Sequence, residues 1–223
     1  VSEKRRLYLI RHGEVDYFDA DGKPVDPRAA TLNDKGVAQA GALASLLVGA
    51  GVERAFCSGV ARARRTAALA LPGKTILDDP DFREIKAGRL RDIPPERRHE
   101  ALACGFDAAA APDAAFAGGE HFAAFERRVL DALDRALASD WTRAALVAHD
   151  AVNRAILAWA LGADRSAWAG LEQDPGCLNV VDIEFADGRP VRRFVKLLNF
   201  TPLDAAKALS LDTSLERAFR PFL

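Results

Sequence analysis

The sequence predicts a three-layer α/β/α fold: a mainly parallel central sheet, helices on both faces, and an irregular lid inserted at about 86–119. Three observations lead there. Short apolar runs of strand length alternate with segments whose apolar residues recur at helical spacing, the pattern of successive strand–helix–strand units. The first such run, Leu7-Tyr8-Leu9-Ile10, is apolar without interruption, as a short buried strand is. The 223 residues suit one domain, 1–223, long enough to bury a core without disulfide or metal staples.

The elements follow in order. Strand one ends abruptly at Arg11-His12-Gly13-Glu14, where the glycine allows a tight turn. A loop over 16–30 is rich in Asp, Gly and Pro. Asn33 is placed as an N-cap, with Val37, Ala40, Leu43, Ala44 and Leu47 at helical spacing and Gly49 and Gly51 as the stop. Ala55-Phe56-Cys57 is a second strand, followed by Ser58-Gly59 and an Ala/Arg-rich helix that stops near Pro72-Gly73. Thr75-Ile76-Leu77 is a third, leading through Asp78-Asp79-Pro80 to Glu84. Residues 86–119 are irregular, with Pro94-Pro95 opening a short helix, and long irregular loops in compact domains are often functional. Phe122, Phe125, Val129, Leu133 and Leu137 mark an amphipathic helix. Residues 144–148 form a buried strand ending at His149-Asp150, and a helix runs from about Val152 to Leu161, stopped by Gly162. Strands at 178–185 and 191–198 flank Asp187-Gly188, a hairpin signal, and the tail beyond Pro202 is expected as a surface helix.

The bulk numbers narrow the function classes. With 31 Lys+Arg against 32 Asp+Glu, the total charge implies no nucleic-acid partner. No apolar run approaches the ~20 residues of a membrane helix, and the charged start of the chain lacks the apolar region of a signal peptide. Three cysteines without metal-type spacing read as free thiols in a reducing cytoplasm. A homodimer is left open.

The chemistry-bearing residues gather where strands end, the place where open α/β sheets put their sites. Arg11 offers a fork of donors suited to phosphate, and His12 beside it can attack phosphorus. Alone, the tripeptide also reads as a polar strand end. Of the four histidines, however, His12 and His149 each follow directly on a buried strand. If both strands are parallel, the two imidazoles share one edge of the sheet. His99 and His121 lie elsewhere and are expected to be solvated. Arg62 sits in the first turn of the helix behind strand two, where the helix dipole already favours an anion. Arg64 and Arg65 point to other faces. Glu84, behind strand three, could protonate a leaving oxygen.

These segments resemble the histidine phosphatase superfamily, the phosphoglycerate-mutase-like branch with the Arg-His-Gly signature. Four stretches match in order: Arg11-His12-Gly13-Glu14; Leu32-Asn33-x-x-Gly36-x-x-Gln39-Ala40; the stretch around Ser58 and Arg62 with Thr66-Ala67; and Val147-Ala148-His149. Glu84 with Gly88 is a looser match. The resemblance spans roughly residues 7 to 160. It implies hydrolysis of a small-molecule phosphomonoester with His12 as nucleophile. Arg11, Arg62 and His149 would hold the phosphoryl oxygens, and Glu84 would be the general acid, with no metal or cofactor. His12 must attack in its neutral form, which neighbouring arginines favour. Gly13, Glu14, Val15, Phe18, Asp150 and Ala151 are candidate contacts to phosphate or substrate.

The departures from the family pattern concern substrate contacts. Val15 and Phe18 stand where Ser or Thr and Asn are frequent, Gly59 where proline is common, His121 where serine is usual, and Asp150-Ala151 where Gly-Gly is usual. Asp150 would repel phosphate unless it points away or pairs with an arginine. A cofactor-dependent mutase is disfavoured, because those enzymes carry Glu-Arg-His-Tyr-Gly around the acid and here the stretch reads Phe82-Arg83-Glu84-Ile85-Lys86-Ala87-Gly88. A phospho-ligand-binding protein on the same scaffold is the alternative from another class. A metal site of His12, Glu14, His149 and Asp150 would place a cation beside Arg11. Two clues to the leaving group conflict. Arg83, Lys86, Arg89, Arg91, Arg97 and Arg98 could hold a second anion, whereas Tyr17, Phe18, Phe106, Phe116 and Phe122 could line an apolar pocket.

Overall fold

A computed structural model of the chain describes residues 3–19 and 21–223. Strand β1 (Glu3–Arg11) is central, and β2 (Arg54–Cys57), β3 (Ile76–Asp78) and β4 (Arg143–Ala148) run parallel to it. The hairpin of β5 (Leu178–Ala186) and β6 (Arg189–Phe200) completes the sheet, with β5 antiparallel to β1. The order is β3-β2-β4-β1-β5-β6, a mixed sheet whose first four members are parallel. Strand β4 inserts between β1 and β2, in register Ile10 with Val147 and Phe56 with Leu146. The carboxyl ends of three strands therefore stand side by side. Residues 7–10 and 144–148 are buried throughout, as strands covered on both faces must be.

Helices α1 (Asp34–Leu47) and α2 (Ala61–Ala70) cover one face, where Leu43, Leu47, Ala63 and Ala67 meet Tyr8, Ile10 and Val147. Helices α3 (Phe122–Ala138) and α4 (Asp150–Leu161) cover the other. The expected apolar stripe of α3, Phe122 to Leu137, is buried. Asn33 caps α1, its side chain accepting from the Gly36 amide at 2.9 Å. Asp187 and Gly188 both take positive φ, 51° and 71°, as a two-residue turn matched to strand twist requires.

The structure amends the expectations in three places. Strand β1 begins at Glu3 rather than Leu7 and β6 spans Arg189–Phe200, because backbone pairing continues past the apolar runs that announced them. Segment 86–119 is irregular, but Phe106, Ala109 and Phe116 join the core beneath it and Leu102 is fully buried. The tail forms its helix only over Ser214–Phe219, and that helix lies half-buried. Helix α5 (Ser214–Phe219) starts at a Thr213/Glu216 capping box and buries Ser214 and Leu215 against the body of the protein. Among the described residues no helix is long and apolar enough to cross a membrane.

Candidate active site

Arg11 and His12 lie at the end of β1, and His149 directly after β4. The His12 amide donates to the Ala148 carbonyl at 3.0 Å, continuing the strand ladder to the histidine itself. Arg62, in the first turn of α2, reaches across from the end of β2. All four side chains are buried, with His149 fully so. The turn after His12 is tight for a reason visible in the backbone. A Cβ on Gly13 would lie 2.5 Å from the Gly36 carbonyl oxygen, and one on Gly36 would lie 2.2 Å from that of Glu14. The Arg-His-Gly turn and the start of α1 touch main chain to main chain, which explains why the two glycine-bearing motifs occur together.

Hydrogen bonds orient the imidazoles. His12 Nδ1 lies 2.8 Å from the Gly13 carbonyl, which can only accept, so Nδ1 carries the proton and Nε2 keeps its lone pair. Nε2 accepts from Arg62 Nε at 3.1 Å. His149 Nε2 is 2.8 Å from Ser58 Oγ, its Nδ1 is 3.5 Å from Arg62 Nη2, and the two rings meet edge on at 5.1 Å between centroids. Burial, with Arg62 and Arg11 alongside, holds His12 well below the usual imidazole range. His149 is held down by burial, His12 and the same arginines. Two neutral imidazoles thus sit between two guanidinium groups, a site built for an anion.

Glu84 comes to this edge through the turn after β3. Its carboxylate accepts from the Ala151 amide at 3.1 Å, at the start of α4, and from its own neighbour Ile85 at 3.0 Å. Burial, and after it the nearby Asp150, push it up to about 7 against the opposing pull of Arg11, the Ile85 amide and Arg62. A carboxyl poised near neutrality can both give and take a proton at working pH.

Asp150 is paired. Arg154 Nε donates to it at 2.6 Å, Arg11 Nη1 lies at 3.5 Å, and Ser214 Oγ donates at 3.3 Å. Arg11 is further anchored by the Gln173 carbonyl, while its buried Nε has no partner among the described residues. Of the remaining candidates, the Gly13 amide donates to Thr66 Oγ1 and the Glu14 amide to Gln39 Oε1, which spends both on the turn itself. The Ala151 amide is bound by Glu84. Val15 and Phe18 do line the cavity beside His12, which has a volume of about 240 Å³.

The two conflicting clues to the leaving group resolve in part: of the five aromatic residues only Tyr17 and Phe18 line the cavity, and none of the six basic residues at the lid does. Phe106, Phe116 and Phe122 pack with Trp168 in the core, where their apolar rings are removed from water, and line no part of this cavity. The basic residues at the lid are solvated or paired elsewhere: Arg97 bonds Glu100, Arg98 stacks on Phe222 at 4.0 Å, and Arg83, Lys86, Arg89 and Arg91 are exposed. The wall combines Tyr17 and Phe18 with Pro175 and the tail residues Ser214, Arg217, Ala218 and Pro221. Burial pushes the Tyr17 phenol up, so it keeps its proton. Sequence reasoning missed the tail, although Thr213-x-x-Glu216 is a legible helix start. Among the described residues, no three His, Cys, Asp or Glu side chains converge as a metal site would need.

A parallel sheet edge carrying a buried neutral histidine, two converging arginines and a near-neutral carboxyl defines a phosphoryl-transfer protein of the α/β class. The chain matches the histidine phosphatase superfamily (branch 1) over residues 7–196, and it belongs to that superfamily. It is 31% identical over 186 residues to the adenosylcobalamin/alpha-ribazole phosphatase of Salmonella typhimurium, covering 80% of this chain and 90% of that one. It is 27% identical over 216 residues to the 2-carboxy-D-arabinitol-1-phosphatase of Triticum aestivum, covering 94% of this chain and 43% of the other. The crystal structure of the alpha-ribazole phosphatase from Shigella flexneri superimposes with a TM-score of 0.68 at 26% identity, over 87% of this chain and 96% of that one.

Proposed function

We propose that this chain hydrolyses a small phosphomonoester in two steps through a phosphohistidine on His12. The observation that carries the reading is the His12 tautomer: Nδ1–H bound to the Gly13 carbonyl, and the Nε2 lone pair presented between Arg62 and His149. In the first step Nε2 attacks phosphorus, the P–N bond forms, the ester P–O bond breaks, and Glu84 gives its proton to the departing alkoxide. In the second, water attacks the phosphohistidine, Glu84 takes the water's proton, and the P–N bond breaks to release inorganic phosphate. Arg62, the free Nε of Arg11, and Ser58-oriented His149 supply donors to the phosphoryl oxygens as charge builds up. Two guanidinium groups provide the electrostatic work that a metal ion does in other phosphatases. The free thiols Cys57, Cys104 and Cys177 support the reducing cytoplasm as the compartment of this reaction.

The test is a panel of phosphomonoesters turned over by wild type and His12→Ala in EDTA. Expected are metal-independent turnover lost in the variant, and an acid-labile, base-stable phosphoenzyme on His12. Phosphate transfer between 2- and 3-phosphoglycerate would instead show a mutase. Inactivity of the wild type across the panel would point to a phospho-ligand-binding protein. The relatives' names pair alpha-ribazole with 2-carboxy-D-arabinitol, so membership of the superfamily leaves the leaving group open.

A further inference from the structure

Resting on the phosphatase reading above, we infer that the site takes a phosphomonoester whose leaving alcohol is uncharged with an apolar body, selected by Tyr17, Phe18 and the C-terminal helix α5. The cavity has one end at Arg11 and His12, with Arg62 hydrogen-bonded to His12 Nε2 behind it. Away from it the lining changes character. Val15, Tyr17 and Phe18 come from the loop after β1, and Pro175, Ala218 and Pro221 from the segments that meet it. This is a surface for an apolar group.

The cations in that part of the cavity are paired. Lys35 Nζ lies 2.7 Å from Glu14. Arg217 is paired with Asp174, which also binds Lys207 at 2.8 Å, and donates to the Asp212 carbonyl. Asp16 lines the same cavity, held by the Asn33 amide at 3.0 Å and without a cationic partner among the described residues. A leaving group with its own carboxylate or second phosphate would meet two neutralised cations and an unpaired carboxylate. An uncharged one displaces no ion pair.

The tail is a fixed wall. The Ser214 amide donates to Glu172 at 2.7 Å and its hydroxyl to Asp150, so α5 is tied to the network that holds Arg11.

Three alkyl phosphates of similar intrinsic reactivity test the inference: 2-phenylethyl phosphate, glycerol 3-phosphate and 3-phosphoglycerate. Expected kcat/KM falls in that order, by roughly tenfold or more from first to last. Ala218→Trp, which fills the tail wall, should lower the phenylethyl-to-glycerol phosphate ratio about tenfold, and Phe18→Ala should move it the same way. Preference for 3-phosphoglycerate, or an unchanged ratio in both variants, overturns the inference while leaving the phosphatase reading intact. No turnover of any of the three, together with no phosphoenzyme, overturns the phosphatase reading itself.

Discussion

Replacing Glu84 by glutamine should make the protein more stable and less active at once, and the structure sets the size of the first effect. The Glu84 carboxyl holds its proton to about pH 7, against 4.5 for an ordinary glutamate, because burial and Asp150 disfavour the anion. The unfolded chain releases that proton near 4.5. Between the two values the folded state binds more protons, so stability falls as pH rises through this window. At roughly 1.36 kcal/mol per pH unit, the gap corresponds to a penalty of about 3 kcal/mol, absent below pH 4.5 and complete above pH 7. Glutamine keeps an oxygen to accept from the Ala151 and Ile85 amides but carries no charge. Urea unfolding should therefore find Glu84→Gln close to wild type at pH 4.5 and more stable by about 3 kcal/mol at pH 8. Turnover of an alkyl phosphate should fall roughly 10²–10⁴-fold, and that of p-nitrophenyl phosphate, whose anion leaves without a proton, much less. A variant no more stable than wild type at pH 8 would refute the buried-acid argument. Equal losses with the two esters would refute proton donation.

Arg154→Ala should cost roughly 3–5 kcal/mol in urea unfolding, since it strands the buried Asp150 with Arg11 at 3.5 Å as its remaining cation. Near-wild-type stability would mean that the pair contributes little. Gly36→Ala should lower both the melting temperature and kcat/KM, the latter by about tenfold, although helix propensity alone predicts a gain of about 1 kcal/mol. The reason is the 2.2 Å approach to the Glu14 carbonyl oxygen, backbone against backbone, which only a shift of the His12 turn can relieve. A higher melting temperature would show that the two segments have room.

Most of the secondary structure could be read locally. Leu7 to Ile10 and Ala144 to Ala148 announce buried strands, and the spacing from Phe122 to Leu137 announces α3, because burial on a sheet or helix face imposes its period on neighbouring residues. The candidate phosphate end was legible for a related reason: Arg11, His12, Arg62 and His149 each sit at a strand's end or just behind it, so the strands announce them. Segment 86–119 was harder. Its aromatic residues pack against Trp168 and α3, and nothing in the local pattern says whether a phenylalanine faces core or cavity.

What the sequence by itself determined is the set of reactive groups and the framework that carries them, since both depend on short-range pattern and residue type. What the tertiary structure alone decided depends on pairs far apart in the chain. It paired Asp150 with Arg154, Arg11 and Ser214, turning a suspected source of repulsion into an anchor. It half-buried Glu84 against the start of α4, moving a surface-like glutamate to a pKa of about 7. It also brought α5 back over the cavity, because Ser214 finds its partners at Glu172 and Asp150. Proximity sets a charge's environment and a pocket's wall, and proximity across the chain exists only once it has folded.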